Sequence, residues 1–262
     1  MKFEKKDIAL PQGTIPYYEA GEGRPVVYFH PGGGVILTKI HEELAKNYKV
    51  YAPVFPGFDG TPLLDGVDTI QDLAALCGSF IDAVTGDDKV DVMGHSFGGW
   101  VACHYAVTAG DKLDQLVLEC PAGFRKEGEG GLSTEPEQRL RQLYKYPEKA
   151  PKTDKTPAMQ KGNIEAPAHY YKNTGIGFDA DLLERLKSLD ALTLILHGTL
   201  DTVIPASTAQ RLKDAIPHAY LIYIYDAAHS VEVDQPERLM RALGPFLERG
   251  EAFIVNWDDA AA

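Results

Sequence analysis

Apolar residues along this chain fall into short continuous runs separated by segments of helical period. The runs of strand length are Val26-Val27-Tyr28-Phe29, Val50 to Val54, Val90-Asp91-Val92-Met93, Leu116-Val117-Leu118, Leu192 to Leu196 and Tyr220 to Ile224. Such near-continuous runs mark strands of a parallel sheet that is covered on both faces. Between them, Leu73, Leu76, Cys77, Phe80, Ile81 and Val84 form one helical stripe, and Leu239, Met240, Leu243, Phe246 and Leu247 form another behind Pro236. This alternation predicts an α/β protein with a mostly parallel central sheet flanked by helices. Two earlier segments, Phe3 to Leu10 and Thr14 to Glu19, flank Pro11-Gln12-Gly13 and read as an antiparallel hairpin.

The rhythm breaks between Pro121 and Lys187, where no convincing buried strand occurs and Pro, Gly and charged residues cluster. An unstructured loop of that length inside a compact domain is improbable, so the segment reads as a helical lid insertion. The expected organisation is a core of residues 1–120 and 188–262 with a cap over 121–187. Charge separates the two parts. Between Pro121 and Asp190, 12 basic residues face 11 acidic ones, whereas the whole chain carries 26 Lys and Arg against 38 Asp and Glu. The acidity therefore belongs to the core, and the insert is near neutral and bears Tyr144, Tyr146, Tyr170, Tyr171 and Phe178. The blander reading of the insert is a solvated helical appendage.

Composition narrows the class further. At 262 residues with 44% hydrophobic and 24% charged residues, the chain suits one α/β domain with a large buried core. A net charge of −12 has the wrong sign for neutralising phosphates, which argues against nucleic acid. Cys77, Cys103 and Cys120 are odd in number, far apart and set in apolar runs, which suggests neither disulfides nor zinc. The start, Met1-Lys2-Phe3-Glu4-Lys5-Lys6-Asp7, lacks the apolar core of a signal peptide, and no apolar run reaches membrane-spanning length. A cytoplasmic protein without membrane partners is expected.

The sharpest chemical signal is Gly94-His95-Ser96-Phe97-Gly98-Gly99, between the strand ending at Met93 and a helix from about Phe97 to Ala109. A serine on a strand-to-helix turn adopts a strained backbone, and glycines two residues to either side remove Cβ atoms that would clash. The turn exposes the hydroxyl at a helix N-terminus, where backbone N–H groups favour developing negative charge. Serine is a weak nucleophile and needs a neighbouring base such as histidine.

These residues resemble the nucleophile elbow of the α/β-hydrolase family, G-x-S-x-G. Two further stretches fit that family in its chain order of Ser, acid, His. His197-Gly198-Thr199-Leu200-Asp201-Thr202-Val203-Ile204-Pro205 is similar to its H-G-x-x-D-x-x-x-P stretch, and Asp226-Ala227-Ala228-His229 is similar to its histidine turn. The resemblance spans roughly Tyr17 to Leu247. It implies Ser96 as nucleophile, His229 as base and Asp201 as the acid that orients the imidazole. Glu119, after the middle strand, is the competing acid, and a turn serine, a loop histidine and a helix cap before Ala206 are the structural alternatives.

A tetrahedral oxyanion needs preorganised donors. Phe97 N–H is one. The other is expected from His30-Pro31-Gly32-Gly33-Gly34, which resembles the family's H-G-x-x-G with Pro31 at the first glycine. Proline has no N–H, so Gly32 is the donor, or Gly33 if the loop is shifted by one. His30 reads as structural, His95 as buried and pointing away from the serine hydroxyl, and Trp100 as core. His41, His104, His169 and His218 read as surface or insert residues, with His169 a minor candidate for touching substrate.

No P-loop or G-x-G-x-x-G follows in the right context, and no metal-ligand spacing appears, so no cofactor and no metal are expected. The expected activity is hydrolysis of a small to medium ester by a Ser-His-Asp triad through an acyl-enzyme, with only a small molecule and water as partners. Hydrolysis of a C–C bond, a lactone or an amide on the same triad is the alternative. A non-catalytic binding protein that keeps the family's pocket is the reading from another class. Family members that cleave C–C bonds often carry Asn where this chain has His95, which favours the ester.

Overall fold

The computed structural model describes residues 2–174 and 177–254. Met1, residues 255–262 and residues 175–176 of the expected insert lie outside the described residues.

Eight strands form one sheet in the order β1-β2-β4-β3-β5-β6-β7-β8. The hairpin is β1 (Glu4–Leu10) and β2 (Gly13–Ala20), paired antiparallel from Glu4 opposite Glu19 to Leu10 opposite Gly13. β2 also runs antiparallel to β4 (Lys49–Pro53), and the remaining strand pairings described within the sheet are parallel. These parallel strands are β3 (Pro25–Phe29), β5 (Val90–His95), β6 (Leu113–Glu119), β7 (Leu192–Gly198) and β8 (Ala219–Ile224). β3, β5 and nearly all of β6 and β7 are buried, as their unbroken apolar runs require. Burying each Val or Leu side chain here is worth roughly 1.5–3 kcal/mol. Edge strand β8 is more exposed and carries an exposed Tyr223.

Helices α2 (Ile70–Thr85), α3 (Phe97–Ala109) and α7 (Ala206–Ala215) lie on one side of the sheet, and α1 (Lys39–Leu44) packs with α9 (Pro236–Arg249) on the other. α2 begins with a capping box in which Thr69 and Asp72 satisfy each other's backbone N–H groups. α9 starts with proline in its first turn and buries one stripe, Leu239, Leu243, Phe246 and Leu247. Between β6 and β7 the chain forms α4 (Pro136–Leu143), α5 (Pro157–Thr174) and α6 (Ala180–Arg185). The Phe124–Phe178 bridge is the only β-pairing recorded in this stretch among the described residues.

Two expectations are corrected. His41 and His104 are read from sequence as surface or insert residues, yet His41 is fully buried and His104 is 5% exposed. His41 packs against Tyr28, with ring centroids 4.2 Å apart and the planes tilted by 59°, and its Nδ1 accepts from Thr38 N at 3.0 Å, which starts α1. His104 sits on α3, whose residues Phe97 to Ala106 are all buried, so the helix has little polar face to offer. Its Nε2 lies 2.8 Å from Asp179 Oδ2, a partner 75 residues away.

Candidate active site

β5 hands directly into α3 at Ser96, which adopts φ 53° and ψ −113°. The neighbouring glycines explain how this turn fits. A Cβ on Gly98 would stand 2.1 Å from the carbonyl oxygen of Phe29, and one on Gly94 would stand 2.5 Å from that of Gly98. The turn is also pinned by its backbone: Ser96 N donates to Glu119 O at 2.9 Å, and Ser96 O accepts from Ala122 N at 2.9 Å.

Three predicted side chains meet at the carboxyl ends of β5, β7 and β8. Ser96 Oγ lies 2.9 Å from His229 Nε2, and His229 Nδ1 lies 2.8 Å from Asp201 Oδ2. A carboxylate can only accept, so Nδ1 carries the hydrogen and Nε2 keeps its lone pair for the serine hydroxyl. Asp201 Oδ1 is occupied as well, accepting from Val203 N at 2.8 Å and Ile204 N at 3.0 Å. Burial pushes the Asp201 carboxyl up, but the His229 charge and hydrogen bond, with the Ile204 amide, bring it below the usual carboxylate range. Burial pulls the His229 imidazole down, and Asp201 more than offsets it, leaving the imidazole above its ordinary value.

The alternative acid is not brought to His229. Glu119 faces Glu232, whose N–H donates to Glu119 Oε1 at 3.1 Å. Nor does Asp201 cap α7, whose N-cap is Pro205. The histidine turn is held from the segment between β6 and β7: Ser230 N donates to Leu143 O at 2.8 Å, and Asp234 accepts from Ala228 N, Lys145 N and Tyr146 N at 2.8, 2.9 and 3.1 Å.

Gly32 abuts the elbow. A Cβ built there would lie 3.9 Å from Phe97 Cβ and 3.4 Å from Pro167 Cγ of α5. The carbonyl of Gly33 accepts from Lys155 Nζ at 2.8 Å and Asn163 Nδ2 at 2.7 Å. His30 is structural, with Nε2 accepting from Phe55 N at 3.1 Å. His95 is buried, and its Nε2 meets His229 O at 3.1 Å. His169 faces Asp68 at 3.2 Å, and exposed His218 lies 3.7 Å from Asp190. Trp100 is buried, donates from Nε1 to Asp179 Oδ2 at 2.9 Å and stacks on Tyr171 with centroids 5.6 Å apart.

Apolar rings crowd the residue after the serine. Phe97 has Phe58, Tyr170 and Tyr171 at centroid distances of 5.5, 5.9 and 5.9 Å. Sequence reasoning passed over Asp59, Lys155, Asn163, Asp179 and Glu232. Each is a single polar residue with no local motif, and its role depends on partners distant in sequence. Among the described residues, two groups could offer three ligand atoms to a cation: Cys120, Asp201 and His229, and His95, Glu119 and Glu232. In the first, Asp201 and His229 are already engaged with each other and with Ser96.

Comparison with known proteins agrees with this architecture. Residues 26–242 match the profile of the alpha/beta hydrolase family. The chain is 26% identical over 263 residues to a 2-hydroxy-6-oxo-6-(2'-aminophenyl)hexa-2,4-dienoic acid hydrolase of Metapseudomonas resinovorans, covering 89% of this chain and 87% of that one. It is 25% identical over 251 residues to a pimeloyl-[acyl-carrier protein] methyl ester esterase of Aeromonas salmonicida, covering 87% and 96%. A serine hydrolase involved in carbazole degradation shares the fold with a TM-score of 0.78 at 24% identity, over 94% of this chain and 99% of that one. An esterase from Rhodococcus does so with a TM-score of 0.74 at 21% identity, over 95% and 99%. Among the described residues no helix is long and apolar enough to cross a membrane. With the profile covering most of the chain and the sheet, elbow and histidine turn in the expected order, this protein belongs to the alpha/beta hydrolase family.

Proposed function

We propose that the protein is a serine hydrolase that cleaves a small to medium ester through an acyl-enzyme. The observation that carries this reading is the unbroken hydrogen-bonded chain from Ser96 Oγ through His229 to Asp201. His229 Nε2 takes the proton of Ser96 as Oγ attacks the carbonyl carbon. The N–H groups of Gly32 and Phe97 hold the oxyanion, and each such donor is worth about 3–4 kcal/mol in the transition state. His229 then protonates the leaving alcohol, activates water, and returns the proton to Ser96 as the acid departs. Asp201 keeps the imidazole in the required tautomer and stabilises its charged form. No metal or cofactor takes part in this scheme.

Residues 121–187 act as a cap over the serine. Supporting this, α5 brings Pro167 against Gly32 and Tyr170 and Tyr171 against Phe97. These apolar and aromatic neighbours favour an uncharged or weakly charged substrate with an apolar acyl part. Similarity to a dienoic acid hydrolase supports a second reading, C–C bond hydrolysis on the same three residues. The deciding experiment ranks kcat/KM for p-nitrophenyl esters of increasing acyl length, lactones, amides and a 2-hydroxy-6-oxo-dienoate. Esters should rank first. Preference for the dienoate would establish the second reading, and absence of both turnover and fluorophosphonate labelling would favour a binding protein.

A further inference from the structure

Beside the serine and histidine lies a second cluster of titratable side chains that acyl transfer leaves unused. His95, Glu119 and Glu232 bring their ligand atoms within 4.8 Å of one another, and all three are buried. Topology accounts for the meeting. His95 ends β5 and Glu119 ends β6 as cross-strand partners, while Glu232 lies on α8 (Val231–Asp234), just after His229. Glu232 N donates to Glu119 Oε1 at 3.1 Å, and His95 Nε2 meets His229 O at 3.1 Å. The other nitrogen of His95, Nδ1, faces Glu232 Oε1 at 3.7 Å.

Counting donors and acceptors assigns the protons. The carbonyl of His229 only accepts, so His95 Nε2 carries hydrogen and Nδ1 is the nitrogen left facing Glu232. His41 is set in the same way. Its Nδ1 accepts from Thr38 N, so the buried Nε2 bears the hydrogen, and its imidazole feels the charge of Glu232. Two ionised carboxylates in one dry pocket repel and are poorly solvated, and a single proton between them relieves most of that cost.

We propose that Glu119 and Glu232 form a buried carboxyl pair holding one proton, borne by Glu119, and that His95 links the charge of Glu232 to the backbone of His229. Glu232 and His95 are thereby positioning residues for the base, an inference that rests on reading His229 as that base. The asymmetry of the pair follows from its surroundings. Burial and the Glu232 charge drive the Glu119 carboxyl well above the usual range. Burial also acts on Glu232, but the neighbouring His95 and the hydrogen bond from Glu119 hold it below that range. The groups facing Glu232 come from every adjoining element: Tyr28 on β3, His41 on α1, His95 on β5, Glu119 on β6, Tyr144 after α4, and His229 itself. Glu232 raises the proton affinity of His229, so it is coupled to the base through its charge as well as through His95.

Two measurements test the proposal. In wild-type protein, infrared spectroscopy should find a protonated-carboxyl stretch that persists at pH 8 and disappears in Glu119→Gln, a variant that retains the shape and donor of the protonated acid. In the pH profile of kcat/KM, Glu232→Gln should move the acid limb down by about 0.5 pH unit, because the base loses a neighbouring negative charge. Glu119→Gln should leave the limb in place. A role confined to packing would lower the melting temperature of Glu232→Gln without moving the limb, and would overturn the proposal. So would a wild-type protein without the infrared band, a band that survives Glu119→Gln, or one equivalent of a divalent metal that copurifies and is lost in Glu119→Gln. The infrared comparison needs neither turnover nor the Glu232 variant. Failure of wild type to react with fluorophosphonate at Ser96 would instead sink the hydrolase reading while leaving the carboxyl pair to its own test.

Discussion

Lys155 Nζ lies 2.8 Å from Asp59 Oδ1 and 2.8 Å from the carbonyl oxygen of Gly33, joining the segment between β6 and β7 to the loop after β3. Asn163 of α5 completes the clamp, donating to both Asp59 Oδ1 and Gly33 O and accepting from Asp59 N. The ion pair is largely shielded, with side chains 12% and 11% exposed. By fixing the carbonyl of Gly33, the clamp restrains the neighbouring Gly32 N–H that is proposed to bind the oxyanion.

Lys155→Met should therefore lower kcat/KM about tenfold, the size of effect expected when a transition-state donor is loosened. Steady-state kinetics should place the loss mainly in kcat, with KM little changed. Burial raises the Asp59 carboxyl, but Lys155 and Asn163 outweigh it and hold it below the usual range. The clamp's stabilisation is thus present above the ordinary carboxylate value and is lost as pH falls through the lower folded value. Loss confined to KM would mean that the clamp serves substrate binding instead.

Removing the proposed nucleophile gives the plainest test of the site. Ser96→Ala should cut kcat by about a million-fold, as in other hydrolases that lose the triad serine. Fluorophosphonate labelling should vanish with it. The backbone at position 96 keeps its positive φ in either case, so the circular dichroism spectrum should be unchanged.

Activity should also fall on the acid side, because His229 is a base only when neutral. Asp201 holds the imidazole above its ordinary value, so the acid limb of kcat/KM should lie above pH 6.5, the ordinary histidine value. Asp201→Asn should move that limb to lower pH. It should also reduce kcat by roughly 10⁴-fold through loss of the productive tautomer. For stability the signs oppose. The His229 contribution is complete below its unfolded value and lost as pH rises, whereas that of Asp201 is present above its unfolded value and lost as pH falls. A pH series of melting temperatures for wild type and Asp201→Asn separates the two.

How much of this is legible in the sequence depends on the range of the signal. Strands and helices announce themselves through neighbours in sequence. Phe97 to Ala109 therefore emerges with its observed limits, and β5 falls short only by Gly94 and His95, whose apolar run had already ended. Ser96, Asp201 and His229 are legible because each sits in a local motif tied to its own strand end. The clamp of Asp59, Lys155 and Asn163 has no such motif, since its members are joined only by folding. His104 shows the same blindness. A histidine in an Ala-rich helix looks exposed until Asp179 arrives from the start of α6.

That Asp179 contact yields a stability prediction. Asp179 accepts from Trp100 Nε1, meets His104 Nε2, and caps α6 by accepting from Leu182 N at 3.0 Å. Burial opposes its charge, but His104, the Leu182 amide and Trp100 outweigh that and bring the carboxyl below the usual range. Asp179→Ala strands two buried donors and a helix cap, and should cost roughly 2–4 kcal/mol. Urea denaturation should report this as a lower midpoint with an unchanged m-value. A loss under about 0.5 kcal/mol, typical of a solvent-exposed site, would mean that water replaces the contacts.

The far end of the sheet carries an opposite pH signature. Asp91 on β5 is fully buried, and Arg24 Nη2 lies 2.9 Å from its Oδ2. Burial dominates over the attraction of Arg24, and nearby Asp114 adds repulsion, so the Asp91 carboxyl is pushed up to about 7. A carboxyl with a raised folded value favours the native state below its unfolded value, 3.8, and that contribution is lost as pH rises toward about 7. The wild-type melting temperature should therefore decline between pH 5 and pH 8. Asp91→Asn, which keeps the shape of the protonated acid, should flatten that decline and match or exceed wild type at pH 8. If the variant instead loses stability at pH 8, the ionised pair with Arg24 outweighs the burial of Asp91, and the carboxylate is the native state.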